Sequence, residues 1–178
     1  MLVVIEKNRY LSLTLLSAYR RVGESRIKCT KVGKTVLFQG SSALSLDAKG
    51  RLTIPTRHRD ALANQCDGQL TLTRHPDGCL LIYPRPVWEI KREEIARLPA
   101  GARVLQRLML GNAQDVDIDG AGRVLVAPEL RSAAGLSKEV MLLGMGGHFE
   151  LWDAVTLQRR EAEDLAKGMA DILDQFSF

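Results

Sequence analysis

Aspartate and arginine stand four positions apart in Asp47-Ala48-Lys49-Gly50-Arg51 and again in Asp119-Gly120-Ala121-Gly122-Arg123. An arginine fork fits guanine O6 and N7 or a phosphate, and one good bidentate base contact supplies about 1 to 3 kcal/mol of discrimination. A carboxylate would be repelled by phosphates, so Asp47 and Asp119 are expected to aim the arginines or hold the turn. Lys49, Arg57 and Arg59 crowd the first copy against Asp47 and Asp60, and are candidate phosphate contacts beside Arg51 and Arg123. Gly50 and Gly122 read as turn glycines, since no phosphate-loop sequence surrounds them. This constellation offers no nucleophile. No Ser, His and Asp arrangement emerges, and Cys29, Cys66, Cys79, His58, His75 and His148 fit no ligand spacing. The expectation is therefore no enzyme, with no catalytic residue, metal, cofactor or small-molecule substrate.

The elements that must position these residues also come twice. Ser45 to Pro55 lies over Asp117 to Ala127 at an offset of 72 residues, and Arg57 to Leu62 lies over Glu129 to Ala134. A strand pair follows in each half, Leu70–Arg74 with Leu80–Tyr83, then Val140–Leu143 with Phe149–Trp152. A repeat at this scale means two copies of one small unit. A unit of about fifty residues buries little core alone, so the copies should pack on each other.

Locally, Ala43–Leu46 and Arg51–Ile54 read as strands around the turn Asp47–Gly50, with Pro55 and Thr56 opening a helix through Ala63 that Thr56 caps. Gln69–Arg74 and Cys79–Tyr83 are strands joined by His75-Pro76-Asp77-Gly78. Val87–Leu98 and Arg103–Leu110 show helical spacing, with Trp88, Ile95, Val104, Leu105, Leu108 and Met109 on apolar faces. Pro128 opens the second short helix and Gly135 lies near its end; a last amphipathic helix runs from about Val155 to Leu173. Trp88 and Trp152, among apolar neighbours, are expected in the core or at a subunit interface. This is an α+β pattern built on small barrels.

The chain has 178 residues, 46% hydrophobic and 26% charged, which is ordinary for a globular protein. Its pI near 9.1 does not describe the repeats. Residues 1–35 hold eight Lys or Arg against two Glu, leaving 17 basic and 19 acidic residues beyond them. Any polyanion site must then be a local patch. The apolar stretch Tyr10 to Tyr19 is too short for a membrane helix, and no span is expected anywhere. Residues 1–35 are expected to be disordered or a mis-called start, with translation beginning at Val36 or Leu37, whose codons include alternative bacterial starts. The expected organisation is this extension, a first module at 36–88, a helical connection at 89–112, a second module at 113–156 and a C-terminal helix at 157–178.

Leu37-Phe38-Gln39-Gly40, Leu46 to Pro55, Leu80-Leu81-Ile82-Tyr83-Pro84, Gln106 to Gly111, Asp117 to Pro128 and Phe149-Glu150-Leu151-Trp152-Asp153 together resemble the MraZ family. The resemblance covers essentially everything from residue 37 onward. It implies two tandem swapped-hairpin (SpoVT-AbrB-type) modules and a ring-shaped homo-oligomer. It further implies a cytoplasmic, nucleoid-associated transcription regulator. Such a protein would bind double-stranded DNA carrying short direct repeats in the promoter of the division and cell-wall gene cluster, its own gene included, usually as a repressor. The family's Asp-x-x-x-Arg motifs fall on Asp47 with Arg51 and Asp119 with Arg123. Ala121 stands where the first motif has Lys49, so the halves should contribute unequally. An oligomeric protein-binding adaptor without sequence-specific DNA binding is the alternative.

Overall fold

The structure, a computed structural model, describes residues 37–166. The expectations for residues 1–35 and for the last helix beyond Ala166 lie outside the described residues.

Eight strands form in chain order: β1 Phe38–Ser45, β2 Arg51–Thr53, β3 Gln69–Arg74, β4 Leu80–Pro84, β5 Gln114–Asp117, β6 Arg123–Leu125, β7 Glu139–Gly146 and β8 Phe149–Asp153. The helices are α1 Thr56–Cys66, α2 Arg85–Ala96, α3 Arg103–Met109, α4 Pro128–Ala133 and α5 Ala154–Ala166, with a 3-10 turn at Ala100–Ala102. Six strands form one antiparallel sheet in the order β1-β7-β8-β4-β3-β5, and β2 pairs with β6 in a separate ribbon. Exchanging the halves (β1 with β5, β2 with β6, β3 with β7, β4 with β8) reverses that order and leaves it otherwise unchanged. The copies therefore interleave. The first strand of each half pairs with the third strand of the other, Leu44 opposite Val140 and Val116 opposite Leu70.

Strand parity builds two cores. Leu80 and Ile82 on β4, with Phe149 and Leu151 on β8, face a cluster containing Leu52, Ile54, Val124, Val126, Leu62 and Leu130 from the ribbon, α1 and α4. The alternate residues Leu81, Tyr83 and Trp152 face Trp88, Ile95, Met109 and Leu157 from α2, α3 and α5. Leu52 and Val124, directly paired and essentially inaccessible, anchor the ribbon; burying each contributes about 1.5 to 3 kcal/mol. Cys79 is buried in the second cluster, and burial pushes its thiol up to about 12.

Several local bounds differ from the sequence reading, α1 among them, which runs to Cys66 instead of ending at Ala63. β1 begins at Phe38 rather than Ala43 because β7 offers eight partners. Pro55, not Thr56, is the capping residue of α1, and no side chain bonds the first turn. α2 starts at Arg85 and ends at Ala96, two residues earlier at each end than the apolar spacing indicated. Val104 is 74% exposed, so the apolar face of α3 is carried by Met109 and the partly buried Leu105. Asp153 caps α5: its Oδ1 accepts from Thr156 N and Oγ1, both at 3.1 Å. Its Oδ2 accepts from Ser137 N at 3.1 Å and Ser137 Oγ at 2.6 Å. The Ser137 bond leads the causes that hold the Asp153 carboxyl at about 2. Among the described residues no helix is long and apolar enough to cross a membrane.

Candidate nucleic-acid interface

Each Asp-to-Arg loop folds on its own carboxylate. Asp47 Oδ1 accepts from the amides of Lys49 at 2.9 Å and Arg51 at 2.8 Å, while Oδ2 accepts from Arg51 Nε at 2.6 Å. Asp119 repeats the pattern: Ala121 N at 2.9 Å, Arg123 N at 2.9 Å and Arg123 Nε at 3.0 Å, with Arg123 Nη2 adding a fourth bond at 2.8 Å. These bonds favour the charged carboxylates. Asp47 is lowered from the usual carboxylate range, chiefly by the Arg51 amide. Asp119 is held at about 2, chiefly by the Arg123 side chain, which Asp119 raises in turn.

The loops turn at Gly50 and Gly122, with φ of +78° and +76°, a region L side chains rarely adopt. Each glycine is also covered by an arginine from the other half. A Cβ at Gly50 would fall 2.6 Å from Arg131 Cζ, and one at Gly122 would collide with the Arg59 guanidinium. Arg59 and Arg131 are equivalent under the 72-residue offset. Only Arg59 completes a bond, from Nε to Ile54 O at 2.8 Å; Arg131 Nε is buried without a partner. Backbone bonds also tie each loop to the other half, Ile54 N to Gly122 O at 2.9 Å and Val126 N to Gly50 O at 3.0 Å.

In the ribbon, Arg51 lies opposite Leu125 and Thr53 opposite Arg123. Because Leu52 and Val124 face inward, these four residues share the outer face, with the two arginines on a diagonal roughly 7 to 8 Å apart. Lys49 is exposed at the tip of the first loop and its side chain has no partner among the described residues. Arg57 lies elsewhere: its Nη2 donates to Ser41 O at 3.0 Å and Ser42 Oγ at 2.7 Å on β1, and its Nε donates to His58 Nε2 at 3.0 Å. His58 is buried with its ring edge-on to Phe38 and Phe149, and burial lowers its pKa. The fold therefore brings Asp47, Lys49, Arg51, Asp119 and Arg123 to the ribbon and its loops. It lays Arg59 over the second loop and binds Arg57 to a sheet edge. Sequence reasoning passed over Arg131, although the offset that aligned the repeats pairs it with Arg59.

Fold and site together define a single-chain tandem of two AbrB-like modules that share their strands. A family model described as "MraZ protein, putative antitoxin-like" matches residues 37–107 and 109–175. Relatives named "Transcriptional regulator MraZ" include one from Bordetella pertussis at 74% identity, one from Herminiimonas arsenicoxydans at 66% and one from Acidovorax sp. at 63%. Each comparison spans 142 residues, 80% of this chain and 100% of the relative. The chain belongs to the MraZ family.

Proposed function

We propose that the outer face of the β2–β6 ribbon reads base edges in the major groove of double-stranded DNA, and that the protein thereby regulates transcription. A two-stranded ribbon fits that groove. The observation that carries this reading is the pairing of two outward arginines, each aimed by its own aspartate, on one ribbon. Arg51 spends only Nε on Asp47, leaving both terminal nitrogens for guanine O6 and N7. Thr53 and Leu125 complete the face, and Lys49 adds a phosphate contact at one end.

One ribbon gives few base contacts, so the reading requires several subunits engaging repeated elements, where linkage raises local concentration. The helical layer on the opposite side of the sheet leaves Ile90, Val104, Val155 and Leu165 at least 66% exposed, which supports self-association away from the ribbon. On this reading, with the family resemblance, the protein is a homo-oligomer, ring-shaped and cytoplasmic, associated with the nucleoid. It represses the promoter of the division and cell-wall gene cluster, its own gene included, through short direct repeats. Anisotropy of the full chain with DNA from upstream of its own gene, beside scrambled DNA, is the test. Preference for the native repeats that Arg51→Ala removes is expected; equal weak binding to both, untouched by the substitution, would sink the reading.

A further inference from the structure

A groove runs beside each motif loop, and the two grooves occupy equivalent places. Beside the first loop it is lined by Asp47, Arg131, Ser137 and Lys138 among others; beside the second, by Asp119, Arg59, Asp67 and Gly68. The backbone confirms the match, since Leu46 N donates to Lys138 O at 2.9 Å and Ile118 N to Gly68 O at 3.0 Å. The first groove is also the larger, about 690 Å³ against about 280 Å³.

Their charges differ. Asp47 and Asp119 are each neutralised by the arginine of their own loop. What remains beside the second loop is Arg59 against Asp67, which cancel. What remains beside the first is Arg131 and Lys138, with no carboxylate in the lining other than Asp47, which Arg51 already pairs. The Arg131 side chain makes no hydrogen bond or ion pair among the described residues; its Nε is enclosed without an acceptor, and the charge of its half-buried guanidinium is left for a ligand to balance. The Lys138 side chain is exposed and has no partner among the described residues, and its segment is fixed because Ser137 donates twice to Asp153.

We infer that the groove beside the first loop is a phosphoryl-binding site, held by Arg131 and Lys138, that the second half lacks. The phosphoryl group that fits is a backbone phosphate of DNA flanking the bases met by Arg51, an assignment that rests on the proposed function. A free phosphorylated molecule presents the same chemistry. The Arg131 guanidinium held over Gly50 offers a fixed planar fork, and Lys138 a mobile point charge beside it.

Two arms of one experiment separate these sources, using the full chain. In the first, inorganic pyrophosphate is titrated calorimetrically without DNA into wild type, Lys138→Ala and Asp67→Ser. In the second, anisotropy on native and scrambled duplexes is followed across a salt series. Lys138→Ala is expected to weaken both duplexes equally, keep the ratio between them, and lower the slope of log affinity against log salt by about 1. Saturable pyrophosphate heat lost in Lys138→Ala, with DNA binding unchanged, supports the site and assigns it to a free ligand. If wild type prefers neither duplex, the function reading fails while the pyrophosphate arm still decides the site. Wild-type slope and affinity in Lys138→Ala, with no pyrophosphate heat in any protein, would overturn it. Lys138 is exposed, so loss of fold does not confound the result.

Discussion

The loops Asp47–Arg51 and Asp119–Arg123 share a turn, a left-handed glycine and a carboxylate that takes three bonds from the same positions. They differ at the edges. Arg51 gives its aspartate one nitrogen, Arg123 gives two. Lys49 at the first tip becomes Ala121 at the second, and an unbonded Arg131 covers the first glycine where a bonded Arg59 covers the second. A duplicated scaffold has kept what holds the loop and varied what the loop can offer a partner. The first loop is the richer donor; the second is more tightly tied to itself.

That contrast can be broken experimentally. Arg51→Ala should cost about 1 to 3 kcal/mol of preference for the native duplex per site engaged, roughly 5- to 150-fold, and Arg123→Ala less, read by anisotropy on paired duplexes. Equal losses would mean that the extra Arg123 bond is released on binding. Gly50→Ala and Gly122→Ala should each destabilise the fold by about 1 to 3 kcal/mol in urea, because both force a positive φ on a side chain and displace an arginine. Gly122→Ala should be the worse of the two, since Arg59 would also lose Ile54 O.

Acid titration sharpens the same contrast. Asp119 at about 2 in the folded chain, below its ordinary value of 3.8, contributes stability that is complete above about pH 4 and lost as pH falls toward 2. Asp119→Asn should flatten the fall of the urea midpoint across that window. The smallest effect is expected for Ala121→Lys, a few-fold gain in affinity for any duplex with a salt slope steeper by about 1. A large or sequence-dependent gain would place the tip against bases instead of phosphates.

The loops were legible in the sequence because their chemistry is local: an aspartate reaches amides two and four residues on, and glycine supplies the turn. The strand Gln69–Arg74 and the helix opening at Pro128 were legible because alternation and a leading proline also act locally. Partner choice was not. Nothing in Ala43–Leu46 states that its strand continues back to Phe38 and pairs with a strand of the other copy, since that pairing is set by burial on a shared sheet. The arginines on α1 and α4 carried the same blind spot. Arg59 reads as a free cation on a short helix, and only the fold lays it over a glycine of the other repeat. Val104 occupies a helical position that periodicity assigns to the core, yet too few elements surround α3 to cover it.

Interleaving also sets an order of events as the chain is made. Phe38 must meet Gly146 and Ser45 must meet Glu139, so β1 waits through synthesis of nearly the whole body before its partner exists. A nascent first half therefore cannot finish its sheet on the ribosome, and such long-range pairing is slow once it becomes possible. During that delay β1 and β3 carry unpaired edges, the condition under which identical chains exchange strands. The half-made protein should be its own most dangerous neighbour, and most vulnerable where ribosomes translate its message in close succession.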